Sequence, residues 1–165
     1  MKKIILSLML IFPLSLMAQD VKIGYVKFNE ITAVMPEVAA MENELIALSE
    51  KYQAELASLE AEFNRKSAEF QTQEESLTEN IKVMRIQEIE GIRERYENMM
   101  QAAQKDVEKK QDDLTAPINE KIMKAISEVG EENGLTCVLH FHQLLYTGKN
   151  CEDITEKVKK KLGVS

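Results

Sequence analysis

The chain has 165 residues, no Trp, 5% aromatic and 30% charged residues, and a formal charge of −7 at neutral pH. An acidic balance of that size disfavours electrostatic attachment to nucleic acid or to an anionic membrane surface, and so few aromatic side chains disfavour a broad globular core. What is left is a composition suited to long helices joined along a narrow apolar seam.

Met1, Lys2 and Lys3 precede an apolar run from Ile4 to Phe12, then Pro13 and a second run from Leu14 to Ala18. This is the layout of a cleavable secretory signal peptide over residues 1–18, with the cut after Ala18. The processed chain of about 145 residues has the length of one ordinary domain. Without Lys2 and Lys3 its formal charge is −9. No later segment holds the ~18 consecutive apolar residues of a spanning helix, so no integral membrane segment is expected.

Residues 21–28, Val-Lys-Ile-Gly-Tyr-Val-Lys-Phe, alternate and are rich in β-branched and aromatic types, which predicts a strand. Asn29 can cap a short helical turn that Met35-Pro36 interrupts, and Pro36 suits the first position of the next helix. From Glu37 no Gly or Pro occurs until Gly91, and Val38, Met41, Leu45, Leu48, Tyr52, Leu56, Leu59, Phe63 and Phe70 recur at steps of mostly three and four. The stripe predicts a long helix with a coiled-coil-like face. A second stripe runs through Ile81, Met84, Ile89, Ile92, Tyr96, Met99, Ala103, Val107 and Leu114. Two unpartnered stripes in one chain are best satisfied by each other. Ser76 and Glu79 have capping-box spacing for a new helix, so residues 37–114 are expected to form an antiparallel helical-hairpin arm with its tip near 71–80. One unbroken helix to Leu114 is the alternative.

Pro117 marks a kink or a restart, after which an amphipathic helix continues to Gly134. Leu135 to Phe141 and Leu144 to Thr147 are expected as two strands, Gly148-Lys149-Asn150 as a turn, and a short helix follows Asp153. The fold class is therefore α+β and mostly α: residues 19–36 and 115–165 make a small body into which the arm is inserted. Such a body lies near the lower size limit for independent stability and leaves strand edges open, so a homo-oligomer built through the body is expected.

Cys137 and Cys151 either form a disulfide between the second strand and the last helix, or Cys137 is a small buried hydrophobe beside Leu139 and Phe141. His140 and His142 are expected on one strand face, where they either meet a metal or face solvent or an interface; no third ligand accompanies them. No phosphate loop, nucleophile elbow, HExxH or CxxC occurs. The chain is not expected to be an enzyme or to need a cofactor or metal.

Several segments together resemble the Skp, or OmpH-like, family of periplasmic chaperones: Lys22-Ile23-Gly24-Tyr25-Val26, Met41-Glu42-Asn43-Glu44-Leu45, Ala116-Pro117-Ile118, Asn133-Gly134-Leu135-Thr136-Cys137-Val138-Leu139 and Cys151-Glu152-Asp153-Ile154-Thr155. The resemblance implies a periplasmic homotrimer whose bodies share an oligomeric β-barrel and whose three arms enclose a cavity. It also implies ATP-independent holding of unfolded outer-membrane proteins, which keeps them from aggregating. The acidic balance departs from the basic members of that family. Residues 37–79 carry eleven acidic and three basic side chains, residues 81–113 eight and seven. Clients are therefore expected to be held mainly by apolar contact, and lipid binding is not carried over. Flexible Met side chains suit varied clients, and Phe63, Phe70, Met84, Ile86, Met99 and Met100 are the candidate client contacts. Tyr96 and Met123 could add to them. The competing expectation is that these residues fill the hairpin seam, Ile86 and Met100 less so because they lie off the main stripe. The competing function is an envelope adaptor that docks its hairpin permanently onto one partner.

Overall fold

The structure is a computed structural model that describes residues 21–164, so the signal-peptide expectation for residues 1–18 lies outside the described residues. The first strand, β1 (Ile23–Val26), is shorter than expected. Its ladder ends where the Lys27 N–H turns away to donate to Thr155 Oγ1 at 3.0 Å, and Phe28 already opens α1 (Phe28–Thr32). Pro36 then starts α2 (Pro36–Gln73), a helix of 38 residues. At 1.5 Å per residue it extends for about 57 Å.

The chain reverses through a single 3₁₀ turn at Glu74–Ser76 and two extended residues, Leu77 and Thr78, before α3 (Glu79–Glu132). The reversal is tighter than the expected 71–80 tip, and the expected capping box is not used. Thr78 holds the N-cap position of α3 without a side-chain cap, while Ser76 Oγ donates back to the Gln73 carbonyl at 2.7 Å and closes off the preceding helix. α3 then runs for 54 residues straight through Pro117, so there is no restart there. The missing Pro N–H removes one helical hydrogen bond. Packing compensates on the next residue, since Ile118 is buried in the body core.

Beyond α3, Gly134 takes a left-handed φ of +63°, which a side chain would resist, and the Leu135 N–H reaches back to the Gly130 carbonyl at 2.9 Å. β2 (Cys137–His140) follows, and Phe141–Gln143 forms a 3₁₀ turn. The expected strand over Leu144–Thr147 is absent. Leu145 and Tyr146 are 105% and 84% exposed, so an alternating segment there has nothing to pack on. The place beside β1 is taken by β3 (Cys151–Asp153). Its successor Ile154 is wholly buried, and the Asp153 carboxylate accepts the Thr155 N–H at 3.0 Å at the start of α4 (Thr155–Leu162).

The sheet has the order β2-β1-β3 with both pairings parallel, and Ile23 stands opposite Cys137 on one side and Cys151 on the other. Gly24 and Val26 face the helices. A Cβ on Gly24 would lie 2.5 Å from Leu135 Cδ1, which shows how closely the backbone approaches the layer above. The core of the body joins Val26, Ile31, Met35, Ile122, Ile126, Val129, Ile154 and Val158, drawn from β1, α1, the residue before α2, the last third of α3, the residue before α4, and α4. By strand alternation the opposite face carries Ile23, Tyr25, Cys137, Leu139 and Cys151. No described helix is long and apolar enough to cross a membrane.

Gly91 lies inside α3, and a Cβ there meets nothing within 4 Å. Gly91→Ala is therefore expected to stabilise the arm by about 1 kcal/mol through helix propensity alone. Thermal denaturation followed by circular dichroism should show a midpoint raised by a few degrees.

Candidate functional site

The arm's two stripes do mate. Leu59 and Phe63 of α2 line one groove with Ile92 and Tyr96 of α3, and Met99 and Ala102 line the next groove toward the body together with Leu59. The seam is thin. No residue of α2 is fully buried, and within the arm part of α3 only Ile92 is. Polar links hold the helices in register instead. Lys110 meets Glu44 at 2.7 Å and Arg95 meets Glu62 at 3.4 Å. Lys66 pairs with Glu88, Tyr52 O–H donates to Asp106, and Lys121 pairs with Glu37 at the base.

The candidate client contacts fall into two sets. Phe63, Phe70 and Met99 are half-buried in the seam. Met84, Ile86 and Met100 are exposed on α3, by 63%, 44% and 51%. Tyr96 belongs with the seam set and Met123 with the exposed set. Val83 and Ile46 are also exposed and were missed in sequence. Their signal was available: both lie off the stripes, and Val83 sits three residues before Ile86 on the same helix face.

The ion pairs give the arm and body an acid sensitivity of definite sign. Lys66, then Arg85, hydrogen-bond to Glu88 and hold its carboxyl below the usual value; Lys121 does the same to Glu37, and Lys161 to Glu128, which ties α3 to α4. Burial would raise Asp153, but hydrogen bonds from Thr155 and the Lys27 charge outweigh it and its net shift is downward. Carboxyls lowered on folding contribute stability that is present above their unfolded values, about 4 to 4.5, and is lost as pH falls through the folded ones. The melting temperature is expected to be flat between about pH 7 and 5 and to fall below about pH 4. A midpoint that rises on acidification would contradict these pairings.

Cys137 is exposed and Cys151 half-buried, and both thiols are free. The disulfide expected between them does not form within the chain. They flank β1 on opposite sides, two strand spacings apart, which is about 9.6 Å and beyond disulfide reach. Nor is Cys137 the buried hydrophobe of the other expectation. His140 and His142 do not share a strand face, because the 3₁₀ turn begins at Phe141. Their rings stack on each other at 5.3 Å, and His140 stacks on Phe28 at 5.9 Å. Among the described residues no group of three His, Cys, Asp or Glu is placed to hold a metal ion.

A small three-stranded body with an antiparallel pair of long helices defines an α+β protein of the hairpin-armed class. The chain belongs to the OmpH-like family, whose model, outer membrane protein (OmpH-like), matches residues 22–162. A solved structure from Caulobacter crescentus CB15, described as a candidate outer membrane chaperone (OmpH-like), is similar with a TM-score of 0.75 at 13% identity, over 86% of this chain and 83% of that one. At that identity the likeness bears on the fold alone. No curated protein matches the chain.

Proposed function

We propose that this protein is an ATP-independent holding chaperone of the periplasm, which binds unfolded outer-membrane proteins and prevents their aggregation. Family membership and the fold likeness support a chaperone at the level of the family. The observation that carries the finer reading is the incomplete cover of the arm: its apolar stripe is half-exposed along most of its length, with exposed Met and Ile beside it. Unfolded β-barrel chains alternate apolar and polar residues, so they offer many weak contacts and no single anchor. A long, partly wet seam with adaptable Met side chains matches that surface. A hairpin docked permanently on one partner would instead concentrate its apolar residues on one compact face.

Holding also needs several arms around one client, because linked weak sites act at high effective concentration. The body supplies a reason to assemble. All-parallel sheets are nearly always covered on both faces, whereas here the helices cover only the face of Gly24 and Val26. Copies joined edge to edge, as a homotrimer with a shared barrel, would cover the other face and close the edges of β2 and β3. Binding and release would then follow mass action alone.

The test is dilution of a denatured outer-membrane β-barrel protein into buffer with and without the processed chain, followed by light scattering. Suppression at one trimer per client without ATP is expected. Unchanged scattering, together with stoichiometric binding to a single folded envelope protein, would favour the adaptor instead.

A further inference from the structure

The two thiols have a relation that a single chain cannot use. Cys137 and Cys151 stand at the same height, since both are paired with Ile23, and both lie on the sheet face that the helices leave bare. One is on the free edge of β2, the other on the free edge of β3. Any ring that joins copies edge to edge in one rotational sense sets the β2 edge of each copy against the β3 edge of its neighbour.

We propose that Cys137 of one copy forms a disulfide with Cys151 of the neighbouring copy, which locks the assembled body covalently. This rests on the edge-to-edge association proposed above. In the two existing pairings the parallel strands run in register, and a third junction of the same kind would bring the two Cα atoms to about 5 Å, inside the range of about 4.4 to 6.8 Å that a disulfide accepts. A junction slipped by two residues would separate them by about 8 Å and forbid the bond. The bond therefore reports the register of the subunit junction.

The chemistry is thiol–disulfide exchange with a disulfide oxidant such as oxidised glutathione. One cysteine thiolate attacks an oxidant sulfur and releases one glutathione thiolate, giving a mixed disulfide. The second cysteine thiolate attacks the cysteine sulfur of that mixed disulfide and releases the other. One Sγ–Sγ bond forms, one oxidant S–S bond is lost, the oxidant takes up the electron pair, and the two cysteine protons end on its thiols.

The processed chain should be treated with oxidised glutathione, then examined by non-reducing gel and by sedimentation. Wild type is expected to give covalent ladders up to the full oligomer, reversed by dithiothreitol. Cys137→Ser and Cys151→Ser should each run as monomers on the gel while sedimenting as the same oligomer as wild type. Mixing the two variants before oxidation should restore a covalent dimer. Cross-linking of either single variant at the wild-type level would overturn the pairing, as would an intact oligomer that never cross-links. A monomer in sedimentation would overturn the association itself and the bond with it, whereas suppression of client aggregation is read separately.

Discussion

Gly24→Val is expected to destabilise the body by about 3 kcal/mol, the upper part of the range for overpacking a core. The new Cβ would sit 2.5 Å from Leu135 Cδ1, 3.3 Å from Val138 Cγ2 and 3.5 Å from Ile154 Cδ1, before its two methyl groups are counted. One of those neighbours could rotate away. Three belonging to the α3–β2 connection, β2 and the residue before α4 cannot all yield without separating the layers. Gly24→Ala is the graded control, since the Leu135 methyl can swing aside, and its cost should be well below that of Val. Urea denaturation should show an early loss of structure in the body, while the far-ultraviolet helical signal, which the arm dominates, persists to higher denaturant. Equal stability of Gly24→Val and wild type would mean that the sheet does not lie against the helices as described.

The second large effect concerns function rather than folding. The combined variant Val83→Ser, Met84→Ser, Ile86→Ser and Met100→Ser is expected to stay folded with a loss of about 0.5 kcal/mol per substitution, about 2 kcal/mol at most, because each replaced side chain is largely exposed. Its ability to suppress client aggregation should fall at least tenfold. Each half-exposed apolar side chain covered by a client contributes on the order of 1 kcal/mol, and four such losses on every arm accumulate. Ile92→Ala serves as the opposite control. That side chain is wholly buried in the seam, so its truncation should cost about 2–4 kcal/mol and reduce holding only as far as the arm itself loosens. Unimpaired holding by the fourfold variant would place client contact elsewhere.

Much of the fold was legible because long helices announce themselves through period. The stripes ending at Phe70 and resuming at Ile81 implied a reversal, and from Ile89 toward the body α2 and α3 pack as those stripes require, whereas Ile81 and Met84 nearer the turn are exposed. Local signals served less well. Ser76 and Glu79 have the spacing of a capping box, yet Ser76 closes the helix before the turn, because a five-residue reversal leaves it too far back to cap α3. Pro117 looked like a breakpoint, but the buried Ile118 beside it outweighs one missing hydrogen bond. Leu144–Thr147 had a strand's composition and Cys151–Asp153 did not. The decision rested on which segment could lead Ile154 into the core, a tertiary constraint that local propensity does not contain. Among the candidate contacts, the exposed set of Ile86 and Met100 followed from their phase against the stripe. Met84 did not, because it falls on a step of the second stripe and yet is the most exposed of the six.

The topology also constrains the order in which the chain can fold. β1 lies near the N-terminal end, and both of its partners, Cys137–His140 and Cys151–Asp153, come after the whole arm. Pairings so distant in sequence are slow to form in an open chain, since a long loop must close before the strands can meet. The hairpin shortens that search. Once α2 and α3 have zipped together, Met41 and Thr115 meet at the base and the chain ends flanking the arm emerge side by side. Nucleation at the turn near Ser76 would thus set the pace for the sheet, and a nascent chain arrested before residue 137 should carry a formed stalk and an unmatched first strand.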